Sequence, residues 1–136
     1  MKKIIINFVF VIAIAITFSS CKKDDNSNSN SNTNISSSKW QVSYFYDNTK
    51  EETYKFNGYE FEFKSDGMLV AYHSAGNTSG TWSLNSSSNK FIIYLSSVSP
   101  LDDLNDDWII LENSDNKIRL RDDNTTKVEE LHFSKI

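Results

Sequence analysis

Carboxylate side chains gather most densely at Asp102-Asp103-Leu104-Asn105-Asp106-Asp107. Within that run, Asp103-x-Asn105-x-Asp107 has the spacing of the first three ligand positions of an EF-hand loop, where alternate residues set hard oxygens around calcium. The match stops there. Trp108 falls where the loop's sharp turn needs glycine, and Ser114 where a bidentate glutamate closes the site. Helix capping and solvated charge account for the cluster better. Glu60 and Glu62 share a strand face but alternate with Tyr59, Phe61 and Phe63, which turns them to solvent, whereas paired glycosidase carboxylates must flank a substrate. His73 and His132 stand apart from one another and from any candidate partner. No Gly-x-Ser-x-Gly elbow, phosphate-binding loop or His-Glu-x-x-His pair occurs. The expectation is a protein that is not an enzyme and has neither a metal nor a dissociable cofactor.

Cys21 is the only cysteine, so a disulfide within the chain is excluded. Before it, Met1-Lys2-Lys3 is a short basic start and Ile4 to Phe18 is apolar apart from Asn7 and Thr17. That length suits the apolar region of an export signal and falls short of the roughly 20 residues of a membrane span. Phe18-Ser19-Ser20-Cys21 resembles the lipobox of bacterial lipoproteins, with phenylalanine where leucine is commoner. The resemblance implies cleavage before Cys21 and acylation of its thiol, making residues 1–20 a lipoprotein signal peptide and the covalent lipid on Cys21 a membrane anchor. A buried structural thiol would need packed neighbours, but Lys22 to Asp25 and the Asn/Ser/Thr run Asn26 to Asn34 offer nothing to bury. Lys23-Asp24-Asp25 resembles the lysine-plus-acidic signal that carries lipoproteins of Bacteroidetes-type bacteria through the outer membrane. The expected location is therefore the outer membrane, lipid-anchored, at the cell surface.

Setting aside Lys2 and Lys3 with the signal leaves 12 basic residues against 18 acidic ones, a formal charge of −6. Nucleic acid and anionic bilayers are both met through positive fields, so neither suits this chain as a direct partner. Residues 21–38 have the composition of a flexible tether. Residues 39–136 are then one domain of a common size, able to bury a single modest core.

That domain alternates with period two. Trp40, Val42, Tyr44 and Tyr46 alternate with Gln41, Ser43 and Phe45, and Tyr59, Phe61 and Phe63 with Glu60, Glu62 and Lys64. Such spacing predicts strands with one face in a core. Asp66-Gly67 between two such runs predicts a tight hairpin joining Tyr59–Lys64 to Met68–His73, with positive φ at both central residues. Further strands are expected over Gly80–Leu84, Lys90–Ser96, Trp108–Leu111, Lys117–Arg121 and Glu130–Ser134. Ser99-Pro100-Leu101-Asp102-Asp103-Leu104-Asn105 has the signature of a single helical turn or short helix, with Ser99 as N-cap, Pro100 at the first helical position, and Leu101 and Leu104 on one side to plug a barrel end.

Trp40-Gln41-Val42, Gly58 to Phe63, Asp66-Gly67, Gly80-Thr81-Trp82-Ser83 and Leu104 to Trp108 are together similar to small lipocalin-like lipoproteins of Bacteroidetes. The resemblance covers essentially the whole domain and implies an all-β fold, an antiparallel up-and-down lipocalin-like β-barrel of about eight short strands with one short helix. Two features depart from larger lipocalins. Ser38-Lys39-Trp40 lacks their glycine before the tryptophan, and only Arg119 or Arg121 could supply the arginine that packs on it.

The domain is rich in aromatic residues, which serve either to line a pocket or to fill a small barrel. Filling suits Phe61 and Phe63; the resemblance, and it alone, makes Trp40, Tyr44 and Trp82 the candidate ligand-binding residues. Two functions follow. One is a binder of a small apolar or aromatic-stacking ligand at the open end. The other is an interaction or structural module, a filled barrel that docks a protein partner in a surface complex, with Glu51 and Glu52 in the polar segment 47–57 as its charged contacts.

Overall fold

The computed structural model describes residues 35–36 and 38–136 of the chain. Alternation along the domain becomes nine antiparallel strands: β1 (Lys39–Asp47), β2 (Lys50–Glu51), β3 (Glu60–Phe63), β4 (Met68–Tyr72), β5 (Thr78–Asn85), β6 (Lys90–Tyr94), β7 (Asp106–Asn113), β8 (Lys117–Arg121) and β9 (Glu129–Lys135). From β3 to β9 each strand pairs with the next, β1 pairs with both β3 and β9, and β2 only extends the end of β1. Eight strands thus close into an up-and-down barrel, and the β1–β9 pairing removes the open edges that a sheet of this size would expose.

Up-and-down order fixes the two ends. Ser36, the 64–67 turn, the 86–89 turn, the 114–116 turn and Ile136 lie at one, the entry end. The β1–β2 turn, the segments 95–105 and 122–128 and the 73–77 loop lie at the other, the far end.

Inward positions follow the alternation over β3, β6, β8 and β9, which bury Phe61 and Phe63, Phe91 and Ile93, Ile118 and Leu120, and Leu131 and Phe133. In β1 the alternation fails partway. Val42 faces Phe133 but Tyr44 faces His132, so Ser43 is an extra residue in a β-bulge. Beyond it the two faces exchange: Phe45 is buried, and Tyr44 lies outside with its ring 4.8 Å from that of His132.

Two further expectations are corrected. In the 64–67 hairpin only Gly67 has positive φ, +88°; Gly67 N–H donates to the Lys64 carbonyl and Lys64 N–H to that of Met68. This is a three-residue loop with glycine at its left-handed position, not a turn with two such residues. The expected single turn or short helix is a 3-10 turn over Leu101–Leu104, and what is corrected is its start, which Ser99 does not cap. Pro100 stands at its N-cap, with no side-chain cap. Asn105 ends it, because its side-chain oxygen accepts Leu95 N–H and its amide donates to Ser96 C=O, committing the chain to β7 at once. Leu101 and Leu104 are both buried at the far end, as their spacing predicts.

The packed chain also starts before Lys39. Ile35 is fully buried in the core, and its carbonyl accepts the Trp40 indole N–H at 3.1 Å.

Candidate functional site

The barrel axis is occupied by the protein's own rings. Phe63 meets Phe133, Phe91 and Trp82 edge-on at centroid distances of 5.3, 5.4 and 5.4 Å, and Phe61 meets Phe133 at 5.4 Å. Edge-to-face pairs at this spacing are favoured by the ring quadrupole. Trp40 and Trp108 are fully buried, each with its indole N–H satisfied by a backbone carbonyl, of Ile35 and Leu104 respectively.

The three aromatic residues singled out in the sequence consequently do not converge. Trp40 is core. Tyr44 is on the outer wall beside His132. Trp82 alone reaches an indentation: its ring stacks on Phe91, its N–H donates to the Lys64 carbonyl at 2.8 Å, and its edge borders a cleft of about 360 Å³ at the entry end. Ser36, Ser65, Asp66, Gly67, Ser83 and Leu84 complete that cleft. Its wall combines the Trp82 and Leu84 side chains with three serines, and the Asp66 side chain accepts Met68 N–H.

On the outer face of β8, β9 and β1, Glu130 accepts from Arg119 at 2.9 Å and contacts His132 Nε2 at 2.6 Å. Burial pushes the Glu130 carboxyl up, but His132 and Arg119 outweigh it and hold it below the ordinary glutamate range. Arg119 is thereby engaged on the outer wall. His73 is stacked on Tyr59 at 4.4 Å.

At the far end, segment 47–57 folds down as a lid. Phe56 enters the core against Phe45, and Thr53 Oγ1 accepts Phe45 N–H at 2.8 Å. Glu52 is buried with Lys50 at 2.5 Å and Lys55 beside it, and Lys55 also meets Asp103 at 2.9 Å. Hydrogen bonds from the two lysines lower the Glu52 pKa, and those from Glu52 and Asp103 raise that of Lys55. Glu51 is exposed and receives Thr53 N–H.

The run Asp103-x-Asn105-x-Asp107 does not form a ligand set. Asp103 turns to Lys55, Asn105 to the Leu95–Ser96 backbone and Asp107 to Lys90. The carboxylates that do converge are Asp106, Asp122 and Glu129, with oxygens within 4.8 Å of one another. Burial, then the Asp122 charge, raises the Asp106 pKa; burial, then Asp47 and Asp122, raises that of Glu129. Such a set has the hard oxygens a divalent cation takes. Of the three, the sequence brings forward Asp106 alone, within the Asp102–Asp107 run; Asp122 and Glu129 belong to other segments that only strand pairing sets beside it.

Cys21 and Lys23-Asp24-Asp25 lie outside the described residues.

Together these features define an all-β protein built on a closed, eight-stranded, lipocalin-like barrel with a filled interior. Among solved structures, the chain is similar to the crystal structure of a DUF4847 family protein from Bacteroides vulgatus, with a TM-score of 0.55 and 16% identity over 74% of this chain and 93% of that one. No family model matches the chain, and no curated protein matches it.

Proposed function

We propose that this protein is an outer-membrane lipoprotein, anchored by lipid on Cys21 and carried to the cell surface by Lys23-Asp24-Asp25, whose barrel docks a protein partner through its outer surface. The observation that carries the docking reading is the occupied axis. Phe61, Phe63, Phe91, Phe133, Trp40 and Trp108 together fill the space in which a larger lipocalin would hold its guest. A closed barrel of this kind is a rigid scaffold, and rigid scaffolds recognise through their loops and ends. No catalytic step is assigned to it.

The test is native mass spectrometry of the full-length lipidated protein released in mild detergent from its own host, with intact-cell cross-linking in parallel. The lipidated chain without a small-molecule adduct is the expected mass, and a discrete cross-linked protein band the expected companion. A stoichiometric adduct lost on denaturation would overturn the docking reading and favour a small apolar or aromatic-stacking ligand. Such a ligand would suit the cleft beside Trp82, which combines a volume of about 360 Å³, in the range of small-molecule sites, with the Trp82 and Leu84 side chains in its wall. The anchor is tested separately: Cys21→Ser should move the protein from the detergent phase to the aqueous phase on temperature-induced phase separation.

A further inference from the structure

Exposed apolar side chains are not spread evenly over the barrel. The four most exposed large ones among the described residues are Val98 at 67%, Tyr54 at 64%, and Tyr94 and Val128 at 60% each; the next, Ile136, is at 52%. All four lie at the far end, on four different segments: the Thr53–Phe56 turn, the end of β6, the loop before Leu101, and the loop before β9. Scattered exposed apolar residues need no explanation, but segregation to one end does.

Contacts tie these segments into one rim. Val98 C=O accepts Leu101 N–H at 3.0 Å, and the turn that follows meets the Tyr54 segment through Asp103 and Lys55. The Val128 carbonyl accepts Asn48 N–H at 2.9 Å, joining that loop to the β1–β2 turn. Leu95 N–H, next to Tyr94, is held by Asn105 at 2.7 Å. The backbone beneath the rim is thus fixed while the apolar side chains project from it, the arrangement that lets an interface form with little ordering cost.

The charges on the same rim say what would cover it. Glu52 and Asp103 are compensated by lysines within the rim, but Asp47, Asp106 and Asp122 form no ion pair among the described residues. Asp106 and Asp122 lie in the carboxylate group with Glu129, whose nearest cation is Lys127 at 4.0 Å. A surface of this composition repels an acidic partner and attracts a cationic one. We infer that the far end of the barrel, through Tyr54, Tyr94, Val98 and Val128 among unpaired carboxylates, docks a protein segment that combines lysine or arginine with apolar side chains. The described chain enters the barrel at the opposite end, at Ile35, so the segment leading back to Cys21 does not start from this rim. The inference rests on the docking function proposed above and names its surface and the chemistry of its partner.

The test is site-specific photo-cross-linking in intact cells making the full-length protein. Benzoylphenylalanine is placed singly at Val98 and Val128 on the rim, at Met68 and Leu111 on the side wall, and at Ser87 at the entry end, with the melting temperature of each variant checked against the parent. The expected result is a discrete protein adduct from Val98 and Val128 alone, with Lys- or Arg-containing peptides at the cross-link. Its yield should fall about tenfold in the Asp47→Lys, Asp106→Asn double variant, as reversed and removed charge oppose docking of a cationic segment. Adducts only from Met68, Leu111 or Ser87 would overturn this surface and leave the docking function standing. No protein adduct from any position would overturn both. An adduct whose yield is unmoved by charge reversal would refute the cationic partner. A melting temperature raised by calcium through Asp106, with no adduct at Val98 or Val128, would replace the partner with a cation.

Discussion

At the scale of single residues, the barrel depends on a few positions whose neighbours leave no alternative. Gly80 is one, for spatial rather than conformational reasons. A β-carbon there would stand 2.1 Å from the Tyr94 carbonyl oxygen and 2.6 Å from Leu95 Cα, and both obstacles are backbone. Gly80→Ala must push β6 away from β5 and should destabilise by about 3 kcal/mol, at the upper end of overpacking costs, measured by urea unfolding. A second residue-scale prediction concerns the convergent carboxylates. Asp106 and Glu129 have raised pKa values in the folded chain, relative to ordinary values of 3.8 and 4.5. Between the ordinary and the raised values the folded chain binds more protons than the unfolded one, so these groups erode stability as pH rises. Glu51 and Glu52, whose pKa values are lowered, act in the opposite sense, and their contribution is lost on acidification. Asp106→Asn isolates the first effect. It keeps the side-chain oxygen that accepts Asp107 N–H and removes the charge. The variant should melt above the parent at pH 7 and level with it at about pH 3, below the ordinary aspartate value, and a gain that persists there would refute the electrostatic cause. None of this was legible in sequence: Asp106, Asp122 and Glu129 become neighbours only when β7 and the 122–128 loop close beside β9.

At the scale of elements, period-two alternation located the barrel strands, because a strand with one face in the core imposes that period on its residue types. Where it misled was β1. Trp40, Val42, Tyr44 and Tyr46 form an unbroken alternation, and Phe45 sits among the polar positions, yet the bulge at Ser43 turns Phe45 inward and Tyr44 outward. Both residues are aromatic, so composition could not distinguish the registers; the distinction comes from the partner strand, where Phe133 and Leu131 must both point inward. The bulge makes an unequal pair of predictions. Phe45→Ala should cost about 3–5 kcal/mol, as for a fully buried ring, and Tyr44→Ala no more than about 1 kcal/mol, as for an outer-wall side chain. A larger cost at Tyr44 than at Phe45 would mean that β1 keeps its alternation throughout. The lid over the far end adds a further element-scale test. Lys55 joins Glu52 to Asp103 and so joins the Thr53–Phe56 turn to the Leu101–Leu104 turn. Lys55→Met preserves the stem, removes the bridge, and leaves the buried Glu52 with Lys50 alone. A lowered melting temperature and faster amide exchange at Phe56 and Leu104 are expected, with β8 and β9 unaffected.

At the scale of the whole molecule, the question is whether a chain of this length can close a barrel and still keep a cavity. The described domain spends its large side chains on the axis, and that outcome was only half visible in sequence: the aromatic content was plain, but whether rings line or fill depends on the radius of the closed sheet, which no local pattern encodes. The three tryptophans report on it directly. Trp40 and Trp108 are 0% exposed and Trp82 6%, so native emission should be blue-shifted and resist quenching by acrylamide. A filled axis further predicts that oleate and anilinonaphthalene sulfonate neither quench this emission nor raise the melting temperature, since a ligand bound only to the folded state must stabilise it. Variants separate the alternatives. Saturable quenching that disappears in Trp82→Phe would locate the probe in the entry-end cleft and leave the axis filled. Quenching that survives in Trp82→Phe but disappears in Trp40→Phe would mean the rings give way and the barrel opens a calyx, and recognition would then belong to the interior rather than to the rim.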